Sequence, residues 1–63
     1  MTMNVEWKQN VLMKSGQEFG RVLLRGNRWR VEKYVGDSVR INLGWRETAE
    51  DAKLALELET TRL

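Results

Sequence analysis

The sequence contains no cysteine, no histidine and no proline. Without cysteine the chain can form neither a disulfide framework nor a thiolate metal site. Without histidine it lacks the commonest metal ligand and the usual general base. Acidic side chains cluster at the start of a predicted helix, where the helix dipole favours them. We therefore expect no catalytic residue, no metal and no cofactor, and we predict that the protein is not an enzyme.

The sequence also lacks a long apolar segment. No run of about 18 apolar residues is present, so no membrane span is predicted. The first 15 residues contain no apolar block followed by small residues, so no secretory signal is expected. With 63 residues the chain is predicted to be one domain, 1–63. These properties are typical of a small cytoplasmic binding module, associated with the nucleoid if its partner is DNA.

Basic residues are concentrated in the middle of the chain. Residues 19–46 contain seven bases and two acids, a net charge of +5, whereas residues 47–63 contain two bases and five acids, a net charge of −3. Six of the seven central bases are arginine. Arginine binds phosphate and guanine edges with two parallel hydrogen bonds, which lysine cannot do. The middle of the chain is therefore the predicted contact region for an acidic partner.

Alternating apolar and polar residues predict strands in this basic region. Gly26-Asn27 has the residue types of a two-residue hairpin turn, and further turns are expected at residues 15–17 and 35–38. The clearest alternation of apolar and polar residues is in the last predicted strand. The predicted strands are residues 21–25, 28–35 and 39–45, with residues 5–14 as an optional first strand.

The hydrophobic period changes to that of a helix after residue 47. Thr48 is a good N-cap, and Asp51 three residues later resembles a capping box. Leu54 and Leu58 lie on the side of the helix that is not needed for the core, so they could form a homodimer contact. The opposite, core-facing side is predicted to contain Ala49, Ala52, Leu56 and Leu63, with Ala55 at its margin.

The predicted fold class is α+β, with a three-stranded antiparallel sheet over residues 20–46 packed on one C-terminal helix over residues 48–63. Residues 1–17 form an N-terminal extension or an extra strand. One sheet face packs against the helix and the other stays open to solvent. The predicted inner face contains Val22, Leu24, Trp29, Val31, Val39, Ile41, Leu43 and Trp45. The predicted open face contains Arg21, Arg25, Arg28, Arg30, Glu32, Tyr34, Arg40 and Asn42.

Three segments carry a family resemblance: NRWRVE at 27–32, RINLGW at 40–45 and ETAEDA at 47–52, followed by Leu54-Ala55. On these segments, residues 20–57 resemble the DNA-binding domain of plant ethylene-response-factor (Apetala-type) transcription factors. They resemble the arm-binding domains of phage integrases more loosely. The resemblance implies three antiparallel strands with a helix across them, and a sheet face that lies in the DNA major groove. By position it implies that Arg28, Arg30, Glu32 and Arg40 face the groove.

The leading functional prediction is therefore binding of duplex DNA by the open sheet face. On the residues alone, Asn42 could read adenine, Glu32 could orient arginines or accept a hydrogen bond from cytosine, and Tyr34 could stack on a sugar or base. Four further cations are expected to contact the phosphate backbone. These are Arg21, Arg25, Lys33 and Arg46.

A second prediction from a different class is that this is a small phage or prophage protein that binds and modulates a host protein. Leu54, Leu58, Leu23 and Trp7 are apolar residues that a three-stranded core does not obviously use. They could form a contact patch. Alternatively, the N-terminal segment folds over them as an extra strand.

Overall fold

The structure is a computed structural model that describes residues 4–62. It contains one antiparallel sheet, in which strands adjacent in sequence are neighbours in space, followed by a helix. The predicted α+β class with a C-terminal helix is confirmed, but the predicted number of strands is wrong, since there are five. The elements are β1 Val5–Lys8, β2 Val11–Lys14, β3 Gln17–Arg25, β4 Arg28–Gly36, β5 Val39–Arg46 and α1 Ala49–Glu59.

The two additional strands come from residues 5–14, which were expected to form at most one. The chain turns back at Gln9-Asn10, where Gln9 has a φ of 56°. Trp7 and Leu12 are five residues apart, so a single straight strand would place them on opposite faces. The turn makes them direct cross-strand partners instead. Both then pack towards the core, where Leu12 is fully buried.

Tight turns produce this up-and-down topology. Each connection between strands is two residues long and contains at least one residue of positive φ, as two-residue hairpin turns require. Connections this short allow only antiparallel neighbours. The connections are Gln9-Asn10, Ser15-Gly16, Gly26-Asn27 and Asp37-Ser38.

Helix α1 crosses one face of the sheet and closes the core. The backbone nitrogen of Asp51 donates to Thr48 Oγ1 at 3.1 Å, so the predicted N-cap is confirmed. Ala52 and Leu56 are buried against the sheet, as predicted for the alanine-rich side. The helix ends earlier than expected, at Glu59, and Leu63 lies outside the described residues. The fully buried residues are Leu12, Val22, Val31, Ala52 and Leu56.

The helix is too short to cover the whole face. Its 11 residues span about 16 Å, whereas the nine residues of β4 span about 30 Å. Leu24, Val39 and Ile41 were predicted to be part of the inner face, yet they remain exposed. Among residues 4–62 no helix is long and apolar enough to cross a membrane.

A β-bulge in β5 corrects one face assignment. Val31 pairs with Gly44 and the next residue of β4 pairs with Asn42, so Leu43 is an extra residue in β5. Gly44 has a φ of 125°, a conformation that side chains rarely adopt. The extra residue shifts the alternation by one position. Trp45, predicted to lie in the core, therefore lies on the open face beside Arg30, its cross-strand partner.

Candidate nucleic-acid interface

Arginines lie on the sheet face opposite α1, across the three longest strands. We call this surface the basic face. The strand register aligns its side chains in rows that run across the strands. Strands β1 and β2 extend the sheet beside β3 and do not cover this face. The five residues that define the basic face are Arg21, Arg25, Arg28, Arg30 and Arg40.

Glu32 is the carboxylate at the centre of the basic face. Arg21 Nε donates to its Oε1 at 2.7 Å, and Arg30 Nε lies 2.8 Å from its Oε2. The hydrogen bond and the charge of Glu32 raise the pKa of Arg21 above its ordinary value. Glu32 is only 5% exposed, so it cannot reach a cytosine. Of its two predicted roles, the geometry supports the orientation of arginines.

Trp45 adds an aromatic ring to the basic face, although the alternation in the sequence predicted that it lies in the core. The guanidinium carbons of Arg28 and Arg30 lie 5.8 and 5.9 Å from the ring centroid. These distances are within the range of cation–π attraction. The ring is still 39% exposed. The glycine within a strand pattern, Gly44, was the available signal for a bulge, and with it for the shifted face.

Tyr34 and Arg40 form a second contact of the same kind. They are cross-strand partners, and the Arg40 guanidinium carbon lies 5.0 Å from the Tyr34 ring centroid. Both were predicted to lie on the open face. The basic face thus contains three arginine–aromatic contacts around two rings, which lie on either side of the cross-strand row that contains Glu32.

Arg25 and Arg28 are direct cross-strand partners at the end of the β3–β4 hairpin. Like charges placed opposite each other on a sheet are destabilising. No carboxylate among residues 4–62 lies within ion-pair distance of either arginine. This end of the basic face is therefore an uncompensated concentration of positive charge.

Two predicted site residues lie on the helix side, and a third, Asn42, lies on the open face but is already hydrogen-bonded. Lys33 lies on the helix side, where its Nζ is 3.6 Å from Glu59 Oε2. Arg46 lines a cleft with helix residues, and its Nη1 donates to the Trp45 carbonyl oxygen. Asn42 Oδ1 accepts from the Gly44 backbone nitrogen at 2.9 Å, inside the bulge. A carbonyl oxygen can accept two hydrogen bonds, so the predicted reading of adenine by Asn42 stays a prediction.

Trp7 was predicted as part of an exposed apolar patch unless the N-terminal segment formed a strand. It packs against the core, and its Nε1 donates to Glu57 Oε2 at 2.7 Å. Leu23 is half-buried, whereas Leu54 and Leu58 are exposed, as expected. No group of three or more potential metal ligands occurs within residues 4–62.

No protein-family model matches the chain, and no curated protein or solved structure matches it either. The resemblance to the Apetala-type domain therefore stays a prediction.

Proposed function

We propose that the protein binds duplex DNA through the basic face, as a small accessory or regulatory protein of phage or mobile-element type. The observation that carries the proposal is the opposed pair Arg25 and Arg28, which have no acidic partner among the described residues. A phosphate group between two guanidiniums would remove their repulsion and form charge-assisted hydrogen bonds.

The dimensions of the basic face also support duplex DNA. Strands lie about 4.8 Å apart, so β3, β4 and β5 together span about 10 Å between their outer axes. The major groove of B-DNA is about 12 Å wide and admits a β-ribbon. Charge favours the same side of the molecule, because residues 47–63, which include α1, carry a net charge of −3. The helix would then face away from the phosphates.

Four of the five arginines are also held in place before any ligand binds. Glu32 orients Arg21 and Arg30, Trp45 supports Arg28, and Tyr34 supports Arg40. Ordering a long side chain on binding costs about 0.5–1.5 kcal/mol, so side chains that are already ordered improve affinity. In this proposal Glu32 and the two aromatic residues position the cations, and the cations contact DNA.

The test is binding of a fluorescently labelled mixed-sequence duplex, measured by anisotropy at several salt concentrations. The variant replaces Arg25, Arg28 and Arg40 with glutamine, and its matched control replaces Arg46, Lys53 and Arg62, which removes the same charge elsewhere. Each lost phosphate contact reduces the slope of log K against log salt by about 0.9, so the triple variant should lose about 2.7. Equal losses in both variants, or no binding by the wild type at about 50 mM salt, would contradict the proposal.

A second candidate function is binding to a host protein, as expected of a phage-encoded modulator. The exposed pair Leu54 and Leu58, one helical turn apart on α1, favours it. Replacing both leucines with serine should abolish capture of such a partner after nuclease treatment. DNA binding by the basic face should be unchanged in that variant.

A further inference from the structure

We propose that β5 pairs antiparallel with β5 of a second copy of this chain, about a twofold axis that passes beside Ile41. β5 is an edge strand of the sheet, so one side of its backbone has no strand partner among residues 4–62. The opposite edge is better protected. β1 has only four residues and carries Glu6 and Lys8, and both shortness and charge discourage edge pairing.

The sequence of β5 complements itself. A twofold interface brings one surface patch against its own copy, so the patch must match itself. From Val39 to Leu43 apolar and polar residues alternate symmetrically about Ile41. With Ile41 opposite Ile41 of the second copy, Val39 meets Leu43 and Arg40 meets Asn42. All apolar side chains then lie on one face, and no two like charges are opposed.

Neighbouring registers are worse. Moving the axis one residue towards the N-terminus places Arg40 opposite Arg40, a like-charge pair that destabilises a sheet. Moving it one residue towards the C-terminus places Arg40 opposite Gly44, whose bulge conformation interrupts regular pairing. The register centred on Ile41 is therefore selected by both charge and backbone geometry.

Exposed apolar surface surrounds this strand on the helix side. Ile41 is 46% exposed. Next to Leu43, a cleft of about 370 Å³ between β5 and α1 is lined by Ala55 and Leu58, with the charged residues Arg46, Glu59 and Arg62 around them. Pairing of β5 would cover Val39 and Ile41 and bring Leu58 close to the second copy. This contact differs from the one expected from sequence, which used Leu54 and Leu58 alone.

The twofold axis would be perpendicular to the sheet, so both helices would lie on one side. The two basic faces would then join into one surface six strands wide, within a sheet of ten strands. That consequence for DNA rests on the proposed function, whereas the dimer itself does not. Sedimentation without DNA therefore tests the dimer separately from DNA binding.

The first experiment exploits the absence of cysteine from the sequence. Directly opposed residues of antiparallel strands have Cα atoms about 4.5 or 5.5 Å apart, within the range of about 4.4–6.8 Å that a disulfide spans. The Ile41→Cys variant should form a disulfide-linked dimer under mild oxidation several-fold faster than Leu24→Cys. Leu24 is a matched control because it is also exposed on the helix side but lies in β3. Equal rates would overturn the proposal.

The second experiment is sedimentation of the unmodified protein and of Ile41→Lys from about 10 µM to about 1 mM, the range suited to a small interface. The apparent mass of the wild type should rise from 7.4 kDa towards twice that value. Ile41→Lys should remain monomeric, and Leu24→Lys should behave as the wild type. A wild type that is monomeric throughout, or a dimer that Ile41→Lys leaves intact, would refute the β5 contact.

Discussion

The two faces of the sheet are built from alternating residues of the same strands, yet they differ in whether their polar side chains have partners. On the helix side, polar groups of the strands contact partners in or just after α1. Trp7 donates to Glu57, Lys14 donates to the Thr60 carbonyl oxygen and Lys33 pairs with Glu59. On the basic face, Glu32 pairs with Arg21 and Arg30, and the other three arginines that define this face have no carboxylate partner among residues 4–62. The helix side thus pairs these polar groups, whereas the basic face keeps an excess of positive charge.

This difference separates stability from function in a very small protein. A chain of 63 residues is expected to have a free energy of unfolding of only about 3–9 kcal/mol. Most of it must come from the helix side, where the fully buried residues lie. Substitutions on that side should therefore act on folding, and substitutions on the basic face should act mainly on binding.

The largest effect is expected for Leu56→Ala. Leu56 is fully buried between α1 and the sheet. Its truncation should lower the free energy of unfolding by about 2–5 kcal/mol, enough to unfold much of the protein. Leu58→Ala is the matched control, since Leu58 is in the same helix but 60% exposed, and it should change stability by less than about 0.5 kcal/mol. Thermal melts followed by circular dichroism would measure both. Similar melting temperatures would show that α1 does not close the core.

The next effect concerns Gly20, which lies in β3 next to the β4 backbone and the Leu56 side chain. A Cβ atom added at Gly20 would clash with the backbone carbonyl oxygen of Glu32 and lie 2.9 Å from Leu56 Cδ1. Backbone atoms of the neighbouring strand cannot move aside easily, so Gly20→Ala should cost about 1–3 kcal/mol. Gly36→Ala is the control, because a Cβ there would meet nothing within 4 Å. Urea denaturation of the two variants would give the comparison, and equal midpoints would contradict it.

Much of this arrangement could be predicted from sequence, because turns and periodicity are local signals. Gly26-Asn27, the N-cap Thr48 and the alternation of β3 and β4 were all readable. The division of residues 5–14 was not, because Gln9-Asn10 lacks the glycine that marks most tight turns. The face predicted for Trp45 was also wrong, because one inserted residue in β5 reverses the face of every residue that follows it in the strand.

The third prediction concerns the balance of the basic face itself. Glu32→Gln would leave Arg21 and Arg30 without their carboxylate, and breaking buried ion pairs is destabilising. Because about a third of each arginine side chain is exposed, we expect only about 1–2 kcal/mol. If the basic face binds DNA, affinity at low salt should rise several-fold, because this face loses one negative charge while the glutamine amide oxygen can still accept a hydrogen bond from one of the two arginines. Denaturation and anisotropy would measure the two effects.

The control for that variant is Glu59→Gln, which makes the same change in charge on the helix side. Glu59 contacts Lys33 and Arg62 at 3.6 and 3.4 Å, longer distances than those at Glu32. Its loss should therefore cost less than about 1 kcal/mol and leave DNA affinity nearly unchanged. Equal gains in affinity for both variants would mean that net charge, rather than the basic face, governs binding.

The smallest effect on stability, below about 1 kcal/mol, is expected for Trp45→Phe, which keeps an aromatic ring beside Arg28 and Arg30. This variant tests which face of the sheet DNA binds. The protein has three tryptophans, and Trp7 and Trp29 pack against the core on the helix side. Only Trp45 should therefore change its fluorescence when DNA covers the basic face. Titration with duplex DNA should alter tryptophan emission in the wild type and not in Trp45→Phe, while anisotropy shows that both bind. A DNA-dependent change that persists in Trp45→Phe would place the ligand on the helix side and reverse the roles assigned to the two faces.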